Sequence, residues 1–149
     1  MCVFGFRSGD NLNITKYPQF QLYLLTLRLL KLKDKLIPQD CDERCINSTI
    51  INRAYYSSYL FCELWLEDVK HFKAIPINEF GADEEKINEH HQVRNALYNF
   101  GEDVVSWNLA NLARLRQKAD YHPFRDLTSS DVSDAIGYME RIFDRLKFE

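Results

Sequence analysis

Residues 46–66 read "INSTIINRAYYSSYLFCELWL". Apolar or small side chains return every three or four positions, at Ile46, Ile50, Ala54, Tyr55, Ser58, Cys62, Trp65 and Leu66. That is the repeat of one helix face, and a strand would alternate instead. No Gly or Pro interrupts the run, so the spacing predicts one long helix over residues 42–72, opened by Asp40 or Asp42 as N-cap. Ala54, Ser57 and Ser58 are small, and another helix can approach closely there.

The pattern continues on both sides. The chain holds only five Gly and four Pro in 149 residues, and they fall between apolar-periodic segments. Pro18 marks the start of a helix over residues 18–36, with Leu22, Leu25, Leu29, Leu32 and Leu36 on one face. Phe20, Tyr23, Leu24, Leu27 and Leu30 widen that face, so this helix is expected to meet more than one neighbour. Arg28, Lys31, Lys33 and Lys35 make its C-terminal half basic, which suits the helix dipole. "KAIPINEFGADEEK" reads as a loop, with a third helix starting at Asp83 to Lys86 and running to about Asn99. A fourth is predicted from about Glu102 to Tyr121. A fifth opens at Thr128 and Asp131, which have capping-box spacing, and runs to Leu146. The expectation is an all-α fold: a single domain over residues 1–149 built as an up-and-down bundle of about five helices, with residues 1–14 an irregular N-terminal segment.

Composition narrows the function. A net charge of −3 argues against a broad basic face for duplex DNA. No run of about 18 apolar residues offers a membrane span, and "MCVFGFRSGD" lacks the apolar core of a signal peptide. A cytoplasmic protein with reduced cysteines is expected. Cys41 and Cys45 would sit one turn apart, but no second Cys/His pair of zinc-finger spacing follows, so no metal site is predicted. No glycine-rich phosphate loop, catalytic Cys/His signature or Gly-x-Ser-x-Gly elbow is present, and no cofactor is predicted.

One polar stretch stands out, "RLRQKADYHPF" at residues 114–124. Leu109, Leu112, Leu115 and Ala119 form the buried stripe of the fourth helix, with Arg116 beside it. Asp120 follows Arg116 by four residues, so the two can pair along the helix. Pro123 pushes His122 out of the α region, so the helix should end near Tyr121 and the imidazole can swing back toward Arg116. Arg forks onto phosphate oxygens and His exchanges a proton near neutrality, which together suit a phosphate. The alternative is an ordinary Arg116–Asp120 pair with His122 capping the last carbonyls.

Arg53 lies mid-helix beside the apolar stripe and wants a partner, for which Asp120 is the natural candidate. Tyr55, Tyr56 and Tyr59 read chiefly as core, although tyrosines also stack on nucleobases. Adjacent histidines point apart on a helix, so His90, His91 and Arg94 read as surface or loop-proximal groups.

Taken together, "STIINRAYYSSYLFCELWL" (48–66) and "HHQVRNAL…LANLARLRQKADYHP" (90–123) resemble the HEPN domains of bacteria and archaea. The family has an Arg-Ala-Tyr-Tyr-like run on a long second helix and an Arg-x(4–6)-His motif near the end of the fourth. Here the motif is Arg116-x5-His122, enclosing Ala119, Asp120 and Tyr121. Gln117 follows the motif Arg where active members often carry Asn, Asp or His. The resemblance spans roughly residues 15–147 and implies a helical bundle, commonly a homodimer, whose two motifs form one composite site. In active members that site cleaves RNA without a metal. Carried over, His122 is the general acid/base and Arg116 steadies the phosphate, with Asp120, Tyr121, Arg53 and Gln117 in support. Many members are toxins or phage-defence proteins paired with a nucleotidyltransferase-like antitoxin, and others are binding modules for a protein, nucleotide or nucleic acid.

Overall fold

A computed structural model describes residues 17–37, 41–81 and 87–148. Among these the chain forms five α-helices and a short 3-10 turn at Ile77–Glu79: α1 (Pro18–Leu36), α2 (Glu43–Lys70), α3 (Glu89–Asn99), α4 (Asp103–Tyr121) and α5 (Ser129–Arg145). The expected all-α bundle of about five helices is what the described residues build. The segment 1–14, Pro38 and Asp40 lie outside them, as does the proposed third-helix start at Asp83 to Lys86.

α2 is the axis of the bundle and packs against each of the other four helices. Asp42 caps it, accepting the Cys45 N–H at 2.8 Å. At the small-residue site, Ala54, Ser57 and Ser58 are fully buried and Ser57 Oγ meets Met139 Sδ of α5 at 3.3 Å. The helix ends at Lys70, slightly short of the expected 72, because His71 turns left-handed (φ 54°) and the Phe72 N–H closes onto the Leu66 carbonyl at 3.0 Å. The core draws on all five helices, with Phe61 stacked on Phe143 at 4.1 Å and Tyr23 against Phe143 at 4.6 Å.

Two sequence expectations shift. α1 turns a different face inward: Phe20, Tyr23, Thr26 and Lys33 are buried, whereas Leu25 and Leu32 are 46 % and 45 % exposed. The aromatic rings set this rotation, since they remove more apolar area from water than the leucines they displace. Lys33, one of the basic residues in the C-terminal half of α1, is sunk between helices, donating to Ser129 Oγ at 2.9 Å and pairing with Glu43 at 3.2 Å. α3 starts at Glu89, because Asn88 is extended and accepts the His91 N–H at 2.9 Å as N-cap. Between α3 and α4 the chain reverses at Gly101, whose φ of 85° needs glycine. α5 opens on the expected capping box of Thr128 and Asp131.

Candidate functional site

The C-terminal half of α4 is shaped by its inner stripe. Leu109, Leu112 and Ala119 are buried and Leu115 packs on the core, which leaves Arg116 at the margin with α2. Its Nε donates to Asp120 Oδ2 at 3.1 Å, the pair one turn apart that the spacing predicts. The guanidinium lies over two rings of α2, 5.4 Å from the centre of Tyr55 and 5.1 Å from that of Tyr56. Burial disfavours its charge, but Tyr56 and the hydrogen-bonded Asp120 outweigh that, and Arg116 is held above its ordinary pKa.

The tether from α2 to Asp120 exists, but Arg53 does not make it. Asn52 Nδ2 donates to Asp120 Oδ1 at 2.8 Å, while Arg53 lies along its own helix, 5.9 Å from the Tyr56 ring. One residue turns a helix by about 100°, so only one of these neighbours can face α4, and it is Asn52.

His122 leaves the helix as Pro123 requires, with φ −127° and ψ 66°. Its side chain is exposed, and among the described residues no hydrogen bond or ion pair joins it to Arg116. The expected swing of the imidazole onto the guanidinium is therefore not made within one chain. Gln117 and Tyr121 are exposed, and Phe124, just past the proline, is fully so.

The last carbonyls of α4 are capped by a residue that sequence reasoning passed over. Arg44, in the first turn of α2, donates from Nη2 to the His122 carbonyl at 2.8 Å, and at longer range to Ala119 (3.4 Å) and Lys118 (3.5 Å). Its Nε reaches the Arg125 carbonyl at 3.1 Å. One guanidinium thus satisfies orphan carbonyls on both sides of Pro123 and fixes the His122 backbone. Nothing local in "CDERC" signals this, because the partners lie more than 70 residues away.

His90 was also misplaced from sequence. His91 is exposed as expected, but His90 is half-buried among the tyrosines of α2. Its Nδ1 lies 2.6 Å from the Tyr55 hydroxyl, and its ring centre is 4.3 Å from that of Tyr59. Burial, then the nearby Arg116 charge, lowers its pKa and keeps the imidazole neutral at pH 7. Burial pushes Tyr55 up to about 12 against the opposing pull of Arg116 and Arg94, so the phenol keeps its proton within its hydrogen bond to Nδ1.

These parts define a helical bundle carrying an Arg/Asp/Tyr/His polar face where α2, α3 and α4 meet, with an exposed histidine at its edge. Compared with family models, curated proteins and solved structures, the chain finds no match. Among the described residues no helix is long and apolar enough to cross a membrane, and no group of three or more His, Cys, Asp or Glu is placed to hold a metal ion.

Proposed function

We propose that the chain is a HEPN-like, metal-independent endoribonuclease of toxin–antitoxin or phage-defence type, acting in the cytoplasm as a homodimer. The observation that carries this reading is the division of labour at the end of α4. Arg116 is fixed by Asp120 and two tyrosine rings, while His122 has its backbone pinned by Arg44 and its imidazole open to solvent. A fixed guanidinium suits a phosphate whose charge grows, and a free imidazole suits proton transfer.

In the reaction, one imidazole takes the proton of an RNA 2′-hydroxyl as O2′ bonds to the adjacent phosphorus. The P–O5′ bond breaks, leaving a 2′,3′-cyclic phosphate, and O5′ collects a proton from an acid. Base and acid are both needed, and the end of α4 carries a single histidine, His122. A second copy supplies the other, with exposed Tyr121 and Phe124 as apolar contact for the partner. A nucleotidyltransferase-like antitoxin that silences the site completes the proposal.

The purified protein should cut RNA in EDTA, leaving cyclic-phosphate ends, and His122→Ala should abolish cutting with the helical signal intact. RNA left whole by a well-folded dimer, across varied substrates, removes this reading. A second reading, a non-catalytic helical module that binds a partner, is favoured by one observation: Arg116 and Asp120 are already satisfied by each other, by the tyrosines and by Asn52. It expects Asp120→Ala to lower stability by about 1–2 kcal/mol and His122→Ala to change no measured property.

A further inference from the structure

α1 carries two apolar stripes, and the bundle closes over only one of them. Phe20, Tyr23 and Thr26 are buried and face the core. Leu22, Leu25, Leu29, Leu32 and Leu36 follow one another at spacings of three, four, three and four, the a and d positions of a heptad repeat. The a residues Leu29 and Leu36 pack on the margin of the core, and Leu22 is half-buried. The d residues, Leu25 and Leu32, stand 46 % and 45 % exposed, about two turns apart on one line. The core already has its aromatic stripe, so a second row of leucines at heptad spacing is not needed to hold α1 in place. Such a row is a seam for another helix.

The charges beside the seam decide which kind of helix fits it. Arg28 and Lys35 flank the exposed leucines and are themselves exposed. Among the described residues neither forms an ion pair. Asp34 is the only acid on α1. In the heptad frame Arg28 and Lys35 fall at g and Lys33 at e, so a second copy of this chain sets cation against cation in either orientation. An anionic membrane welcomes cations but takes up a broad apolar face, and the broad face of α1 is turned into the bundle. A narrow leucine line with unpaired cations along its edge matches an acidic helix. We propose that the Leu25/Leu32 seam of α1 docks an acidic amphipathic helix of a partner protein, whose apolar side chains cover the two leucines and whose Glu or Asp side chains meet Arg28 and Lys35. The seam lies on a helix that carries none of the Arg116 and His122 motif, so it stands apart from the ribonuclease reading.

The probe is a labelled synthetic peptide of about three heptads with Leu at a and d and Glu at e and g, compared with a twin carrying Lys in place of Glu. Fluorescence anisotropy at low salt and neutral pH should show the Glu peptide binding the wild type and the Lys peptide failing to bind. Leu25→Gln/Leu32→Gln should weaken the Glu peptide at least about tenfold, because each leucine still has nearly half its surface to bury. Arg28→Glu/Lys35→Glu should reverse the preference and admit the Lys peptide. All four side chains are exposed, so these variants should keep the helical signal of the wild type. If one does not fold, the wild type's choice between the two peptides decides by itself. Equal binding of both peptides, binding of neither, or unchanged affinity in the folded leucine variant overturns the proposal. Sedimentation and flotation identify the other occupants. Self-association of the wild type that is lost in the leucine variant gives the seam to a second copy. Binding to phosphatidylserine vesicles that is lost in the same variant, with no peptide bound, gives it to a membrane surface. Either result overturns the acidic helix.

Discussion

Two helices of this bundle end on a histidine, and they end differently. α2 closes on His71, which adopts a left-handed φ of 54° and lets its own backbone finish the helix through the Phe72–Leu66 bond of 3.0 Å. α4 closes on His122, which stays at negative φ before a proline and has its carbonyl taken by Arg44 of another helix. In the first case the backbone does the capping and any side chain that tolerates the turn will serve. In the second the cap is borrowed, the imidazole takes no part in it, and its position still depends on long-range packing. The result at α4 is a fixed backbone with an exposed imidazole.

The largest expected effect separates the two histidines. His122→Ala should lower RNA cutting by at least about a hundredfold, the usual scale for losing a general acid or base, while the melting temperature stays put. His71→Ala should leave cutting unchanged. Rates and melting curves measured side by side check the contrast, and equal rates for both variants would erase it.

Next comes the borrowed cap. Arg44→Ala strips charge-assisted donors from the His122, Ala119 and Arg125 carbonyls together. A loss of about 2–3 kcal/mol in urea unfolding is expected. Hydrogen exchange should show the last turn of α4 opening ahead of the rest. No comparable opening is expected at the end of α2, where the Phe72 N–H closes onto the Leu66 carbonyl of the same helix.

These contrasts show where the sequence is legible. Helix periodicity and punctuation place α2, α4 and α5 closely, because Ile50, Leu112 and Ile142 repeat at helical spacing and Asp42, Pro123 and Thr128 act on their immediate neighbours. The Arg116–Asp120 pair is readable for the same reason: it lies within one turn. Which face α1 turns inward is not readable, since leucines and aromatics compete and only the shape of the core decides between them. The same holds for the Asn52 tether, the Arg44 cap and the His90–Tyr55 bond, with partners 68, 78 and 35 residues away. Local rules name the polar residues of the site, and tertiary packing chooses which of them meet.

A third prediction concerns the other anchor of the α4 end. Lys118, in its last turn, donates to Asp131 Oδ2 at 2.8 Å, and the same oxygen accepts the Thr128 N–H at 2.8 Å. Burial raises the Asp131 pKa, but Lys118 and Thr128 outweigh it, and the carboxyl is held below its ordinary value. A depressed carboxyl pKa gives stability that is complete above the unfolded value of about 3.9 and is lost as pH falls through the lower folded value. Asp131→Asn should therefore cost about 1 kcal/mol at pH 7 and flatten the dependence of stability on pH below about 4. A wild-type slope retained in the variant would assign that acid sensitivity elsewhere. The ion pair at the α2 end, Lys73–Glu67 at 3.7 Å, is solvent-exposed and should contribute little to stability.

The smallest effect runs in the opposite direction and tests the α2 end by itself. A side chain at positive φ crowds the following carbonyl, at about 1–2 kcal/mol for most residues. Glycine escapes that strain, but it also enlarges the conformational freedom of the unfolded chain, which offsets part of the gain. His71→Gly should therefore stabilise the protein by about 0.5–1 kcal/mol, seen as a rise of roughly 1–4 °C in Tm for a chain of this size. The same replacement at His122 meets no positive φ, since that residue sits at −127°, so it gains no strain relief and adds only unfolded-state freedom. Opposite signs for the two glycine variants would establish that one helix is closed by its own backbone and the other by Arg44. A loss of stability at both would mean that the His71 side chain, and not its backbone, is what holds the end of α2.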